Sequence, residues 1–181
     1  MNIDTFKTDL FSVPVWSMVL NNERHHILDY KEVIKDIESK EPSMKRSNSG
    51  GYQTVDNLYE IGVFKEFTSS LENIGSHICQ TPVKIESMWG NINYTHHCNY
   101  KHVHDGELSG CFYLQVPEQS GNLVFVTPAV RSESRMFFQK NVSITPVNML
   151  LVLFPGWLEH YVETNMSTEA RISISFNFYR K

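Results

Sequence analysis

Apolar and polar residues alternate most regularly near the end of the 181-residue chain, where Ile172, Ile174, Phe176 and Phe178 interleave with Arg171, Ser173, Ser175 and Asn177. Successive side chains of a β-strand point to opposite faces, so the pattern predicts a strand with one apolar and one polar face. The same period separates Ser109, Cys111, Tyr113 and Gln115 from Leu108, Gly110, Phe112, Leu114 and Val116. Shorter runs of strand type, KIESMWGNINYT, NLVFV, VSITP and MLLVLF, are divided by turn residues and also lie beyond Pro82. Before Pro82 the rhythm is helical. Ile27, Tyr30, Ile34 and Ile37 recur at three- and four-residue steps between Glu23 and Ser39, and Phe64, Phe67, Leu71, Ile74 and Ile78 do so up to Cys79. Each run predicts a helix whose single apolar stripe needs a sheet to cover.

Helices followed by strands predict an α+β fold with a mostly antiparallel sheet and both helices packed on one face. The number and spacing of the strands favour a double-stranded β-helix, a jelly-roll or cupin-like core, over a parallel α/β sheet. The expected organisation is a single domain over residues 1–181, with an N-terminal strand and the helices in 1–81 and the β-helix core in 82–181. The N-terminal strand is expected between Asp9 and Leu20 as an edge strand or extended lead-in, because Pro14 interrupts it. Glu41 to Gly51, EPSMKRSNSGG, has the composition of a loop. Within that region Arg46–Gln53 reads equally as a lid over a site or as a plain connection.

Composition narrows the function classes. A net charge of -4 and a sequence pI near 6.0 argue against a nucleic-acid partner, which calls for a basic stripe. No apolar run approaches the ~18 residues of a membrane span, and MNIDTFKTDLF lacks a basic segment followed by an apolar one. The expectation is a cytoplasmic protein with no membrane partner. Cys79, Cys98 and Cys111 have no framework spacing, which fits a reducing compartment. No glycine-rich phosphate loop joins a strand to a helix.

Candidate chemistry lies in the histidines. His102 and His104 are separated by one residue, and His160 lies in FPGWLEHYV. On a strand, positions i and i+2 present two imidazoles side by side, and a later strand of the same barrel can bring the third, leaving half of a coordination sphere open. Imidazoles with an unperturbed pKa of ~6.5 are neutral ligands near pH 7 and suit Fe, Zn, Cu or Ni, so ligand type alone does not choose the metal. Arg171 stands eleven positions after His160 on the polar face of its strand, with Ser173 beside it. A guanidinium inside a pocket requires an anionic partner. Tyr113, on the polar face of its own strand, converges with it on one carboxylate. Asp105, at an odd offset from His102, points to the opposite face of an extended strand.

Together HVHDGELSGCFYLQVPEQSGNLVF, FPGWLEHYVETN and RISISFN, with SNSGGYQT and WGNIN upstream, resemble the 2-oxoglutarate and Fe(II)-dependent oxygenases, in particular the small bacterial and phage proteins of prolyl-hydroxylase-like fold. The resemblance spans most of the chain and is densest from Trp89 to Asn177. It implies a dioxygenase that uses Fe(II), 2-oxoglutarate and O2 to hydroxylate a small-molecule or peptide substrate, whether a peptidyl proline, an amino acid or another metabolite. It further implies that His102, His104 and His160 are the metal ligands and that Arg171, with Ser173 and Tyr113, holds the far carboxylate of 2-oxoglutarate. Asn91 or Asn93 would bind the near end of that cosubstrate. The family signature places a carboxylate where this chain has His104, so the two-histidine, one-carboxylate triad becomes three histidines and the centre about one unit more positive.

The same residues admit other readings. A lone histidine is more often a hydrogen-bonded structural group than a ligand. His96, His97 and Cys98 invite a structural zinc, although no second cluster closes four ligands. Arg171 can pair with Glu159 or Glu163, and Trp89, Phe154 and Trp157 can line a channel or simply fill a core. For the whole chain the alternatives are a three-histidine, cupin-like metalloenzyme that does not use 2-oxoglutarate and a non-catalytic binding module on the same fold. The N-terminal strand can also pair across a homodimer.

Overall fold

The computed structural model describes residues 12–128 and 140–181. In chain order the elements are β1 (Trp16–Val19), α1 (Ile27–Lys40), β2 (Asn48–Ser49), β3 (Tyr52–Gln53), α2 (Lys65–Cys79) and β4 (Val83–Asn93). They continue with β5 (Cys98–His102), β6 (Leu108–Gln115), β7 (Leu123–Val126), β8 (Asn141–Ile144), β9 (Leu150–Pro155), β10 (His160–Val162) and β11 (Arg171–Arg180). Among the described residues these strands form a six-stranded sheet in the order β1-β9-β6-β11-β4-β3 and a five-stranded sheet in the order β2-β5-β10-β7-β8. Strand neighbours in both sheets run antiparallel, as a jelly roll requires.

The helices cover the outer face of the larger sheet. Ile172, Ile174, Phe176 and Phe178 of β11 are fully buried in one cluster with Tyr30 and Ile34 of α1 and Phe67 and Leu71 of α2. Each such side chain contributes about 1.5–3 kcal/mol when withdrawn from water. Close approach of helix to sheet depends on glycine at two places. A Cβ on Gly90 of β4 would lie 2.8 Å from the Ile34 side chain, and one on Gly75 of α2 would lie 2.8 Å from the ring of Phe178.

Both helices fall on the segments that the apolar periodicity predicts, α1 running one residue past Ser39 to Lys40. α1 begins at Ile27 rather than Glu23, because Asn21–His25 winds as a 3-10 turn with no buried residue. The expected N-terminal edge strand is β1, which among the described residues pairs with β9 alone at the margin of the larger sheet; Asp9, Leu10 and Phe11 lie outside the described residues. The Ser- and Asn-rich loop contains β2, whose Asn48 and Ser49 pair with Asn99 and Cys98, and leads directly into β3. Tertiary pairing here overrides poor strand propensity.

Deleting the Ile34 side chain to alanine should cost about 2–5 kcal/mol, and Gly90→Ala about 1–3 kcal/mol by overpacking. Because the new methyl would occupy space that Ile34 fills, the double variant should be more stable than the sum of the two losses predicts. Urea unfolding of the four proteins tests this, and strict additivity would contradict the contact.

Candidate metal centre

The inner faces of the two sheets enclose a cavity of about 620 Å³. His160 is the first residue of β10, the middle strand of the smaller sheet, and stands directly opposite His102 of β5 on one side and Phe125 of β7 on the other. Ring centroids of His102 and His160 are 4.3 Å apart. The ring of His104 lies 5.0 Å from each of them. One ligand nitrogen from each of the three residues falls within 4.8 Å of the others, and among the described residues no other group of histidine, cysteine or acidic side chains does so.

Backbone carbonyls fix which nitrogen each ring offers. His102 Nδ1 donates to the carbonyl of Tyr100 at 2.7 Å, and His160 Nδ1 donates to that of Leu158 at 2.8 Å. Both bonds leave Nε2 as the free lone pair, the arrangement found behind metal-bound imidazoles. His104 Nε2 and His160 Nε2 are 3.2 Å apart, close to the roughly 3 Å that separates adjacent nitrogens bound about 2.1 Å from one ion. The donor set therefore fits a metal. Burial pulls all three rings below the usual histidine pKa, His104 to about 4 and His160 to about 3, and for these two the neighbouring imidazoles add to the effect. They are neutral, ligand-ready bases near pH 7.

His104 corrects one expectation. β5 ends at His102, so the two histidines do not share a strand. The chain instead follows the β9–β10 turn, where the His104 amide donates to the carbonyl of Gly156 at 2.9 Å, and this turns the ring back beside its neighbours. Asp105 lines the cavity, since the chain has left the strand, but its carboxylate is not in the ligand group. The centre has three nitrogen donors and no acidic one.

At the other end of the cavity, Arg171, Ser173, Ser175 and Asn177 of β11 face inward as the alternation predicts. Arg171 is 2% exposed. Its Nη1 donates to the carbonyl of Ser120 at 2.8 Å and lies 3.5 Å from that of Gly121, while its Nε has no hydrogen-bond partner. It is not bound to Glu159 or Glu163; the Glu163 carboxylate accepts from the amide of Asn122. Burial lowers its pKa from the ordinary arginine range, the signature of a charged form short of compensation. Tyr113 and Ser173 are cross-strand partners and line the same cavity. Burial raises the Tyr113 phenol well above its usual pKa, so it stays a donor.

Asn91 and Asn93 also face the cavity, but their amides are engaged: Asn91 Nδ2 donates to Ser175 Oγ at 3.1 Å and Asn93 Nδ2 to Asn99 Oδ1 at 3.3 Å. Gln115 leaves the polar face. A register shift opposite Ile172 and Ser173 turns it to accept from Lys31 of α1 and donate to the Ala170 carbonyl. Trp89 and Phe154 line the cavity, whereas Trp157 is exposed. Ser47, Ser87 and Asn99 line it too and were not singled out by motif. For Ser47 the available signal was its place in SNSGGYQT.

A family model described as "Putative 2OG-Fe(II) oxygenase" matches residues 87–177, just over half of the chain and all three histidines and Arg171. The chain belongs to the 2OG-Fe(II) oxygenases. Its activity is therefore that of an Fe(II)- and 2-oxoglutarate-dependent dioxygenase consuming O2. The oxygenase has the fold of several solved structures. The epimerase SnoN of nogalamycin biosynthesis, in complex with Fe3+, alpha ketoglutarate and nogalamycin RO, superposes with a TM-score of 0.76 at 12% identity over 93% of this chain and 79% of that one. HygX from Streptomyces hygroscopicus, with nickel, 2-oxoglutarate and hygromycin B bound, gives 0.72 at 9% identity over 93% and 84%. A Pseudomonas putida prolyl-4-hydroxylase gives 0.68 at 14% identity over 94% of each chain. Among curated proteins no sequence matches this chain.

The lowered histidine pKa values set a pH dependence for the metal-free oxygenase. In the unfolded chain these rings take up protons below about pH 6.5, whereas in the folded one they resist until about pH 4 or 3. Stability should thus fall as pH drops from 7 towards about 5, before carboxylates titrate. Urea midpoints across that range should decline in the wild type and less steeply in His104→Gln and His160→Gln. A flat wild-type profile would contradict the buried, neutral rings.

Proposed function

We propose that His102, His104 and His160 bind the oxygenase's Fe(II) and that Arg171, assisted by Ser173 and Tyr113, holds the far carboxylate of 2-oxoglutarate, with Asn91 and Asn93 lining the near end. The observation that carries this reading is the buried Arg171 guanidinium, without a carboxylate partner among the described residues and with its Nε unpaired, opening onto the same cavity as the three histidines. An isolated buried cation is costly, and a dicarboxylate reaching from the centre to the sheet removes that cost. When bound, iron and 2-oxoglutarate supply O2 activation coupled to decarboxylation of the oxo acid to succinate and CO2, with one oxygen atom delivered to a substrate C–H.

The chain's own residues orient, neutralise and exclude water. Three neutral nitrogens leave the ion's double positive charge uncompensated by protein, which strengthens attraction for the cosubstrate dianion. Phe125 and Phe154 pack against the ring of His160 and exclude water from that side of the centre. The cavity also reaches Asp56, Ser87, Asp105 and Asn177, and its size suits a small molecule or a peptide side chain as substrate. β1, at the margin of the larger sheet, has one edge unpaired among the described residues and could pair in a homodimer.

Succinate formation from 2-oxoglutarate with Fe(II) and ascorbate tests the assignment. His160→Ala should abolish turnover and metal uptake. Arg171→Ala should raise the KM for 2-oxoglutarate by about 10- to 100-fold, the effect of losing hydrogen bonds to a charged group, while leaving metal affinity intact. Wild-type turnover in both variants would end the assignment.

A further inference from the structure

We propose that Ser47 is a hydrogen-bond donor to the near, metal-bound carboxylate of the cosubstrate, oriented for that task by Asn99 and Asn93. The inference rests on the three histidines being the iron site. Ser47 lies in the loop before β2, yet it is fixed rather than free: its carbonyl accepts from the amide of Tyr100 at 2.8 Å. Its Oγ accepts from Asn99 Nδ2 at 3.2 Å, and Asn99 Oδ1 accepts in turn from Asn93 Nδ2 at 3.3 Å. The carbonyl of Asn93 is tied to Asn165 Nδ2 at 2.8 Å.

This relay has a direction. Each amide uses its N–H on the next oxygen, so the Ser47 oxygen is occupied as an acceptor and its own proton is left to be donated. That hydroxyl sits 3.5 Å from His102 Nε2, the nitrogen whose lone pair is freed by the bond from Nδ1 to Tyr100. The distance is too long for a strong bond. Once the lone pair of Nε2 is given to an ion, the hydroxyl loses even this acceptor while its oxygen still lies beside the centre. An anionic oxygen on the same ion, beside that nitrogen, is then the acceptor its geometry favours. Ser47 is thus a cosubstrate-positioning residue, and Asn93, which lines the same part of the cavity, also supports it through Asn99.

Anaerobic calorimetric titrations of the full chain, first with Fe(II) alone and then with 2-oxoglutarate into the Fe(II)-loaded protein, test this. Ser47→Ala should weaken 2-oxoglutarate binding about tenfold and leave Fe(II) affinity without cosubstrate unchanged. Ser47→Thr, which keeps the hydroxyl, should restore wild-type binding, and Asn99→Ala should give an intermediate loss by freeing the hydroxyl to turn. Should Ser47→Ala fail to fold, the Asn99→Ala titration decides alone. Unaltered cosubstrate affinity overturns the proposal, as does a loss of Fe(II) affinity in the absence of 2-oxoglutarate, which would make Ser47 a support or ligand of the centre. Wild-type protein that binds no 2-oxoglutarate after Fe(II) loading overturns the iron-site assignment itself, and the proposal with it.

Discussion

The structure depends on a single strand having two incompatible neighbours. β11 turns Ile172, Ile174, Phe176 and Phe178 towards the helices and Arg171, Ser173, Ser175 and Asn177 towards the cavity. It pairs along its length with β4 and with β6, so the same division is imposed on the strands at either side. A slip of one residue would put aromatic rings in the polar cavity and a guanidinium beneath two helices. The hydrophobic effect thereby fixes the register that sets Arg171 and Ser173 in their places, and the site inherits its geometry from the core.

Electrostatics divides the cavity into two complementary ends. At one end three imidazoles are held neutral by burial, reinforced at His104 and His160 by the neighbouring rings. At the other a guanidinium is held charged with less compensation than it needs. Neither end is at ease as it stands, one being rich in lone pairs and the other in donors. A cation chelated by a dicarboxylate satisfies both, and the absence of an acidic ligand makes the anion's share of the neutralisation larger.

The sequence was most legible where one face of a strand or helix is buried. The β11 alternation, the cavity-lining Cys111 and Tyr113 with Ser109 bonded to the inward Asn177, and the apolar stripes of both helices all follow from period alone. Alternation does not mark β5 or β10, because CNYKH and HYV carry the site's polar residues; only the histidine spacing places strands there. The histidines were recognised by spacing and family resemblance, yet the spacing argument assumed a shared strand; the convergence is real but arises from the chain's turn after His102. Gln115 departed from its predicted face because a register shift is a property of two strands and is invisible in either one. The Ser47 relay joins residues more than fifty positions apart, and no local pattern announces it.

β10 has three residues, and its first, His160, is the direct cross-strand neighbour of His102. So short a ladder contributes little cohesion of its own to the five-stranded sheet. An ion shared by these two rings and His104 would act as a cross-link between β10, β5 and the segment that follows β5. An ion in the proposed centre would then also bear on the mechanics of the barrel: the wall that holds these rings would be stiffer with the metal bound than without it.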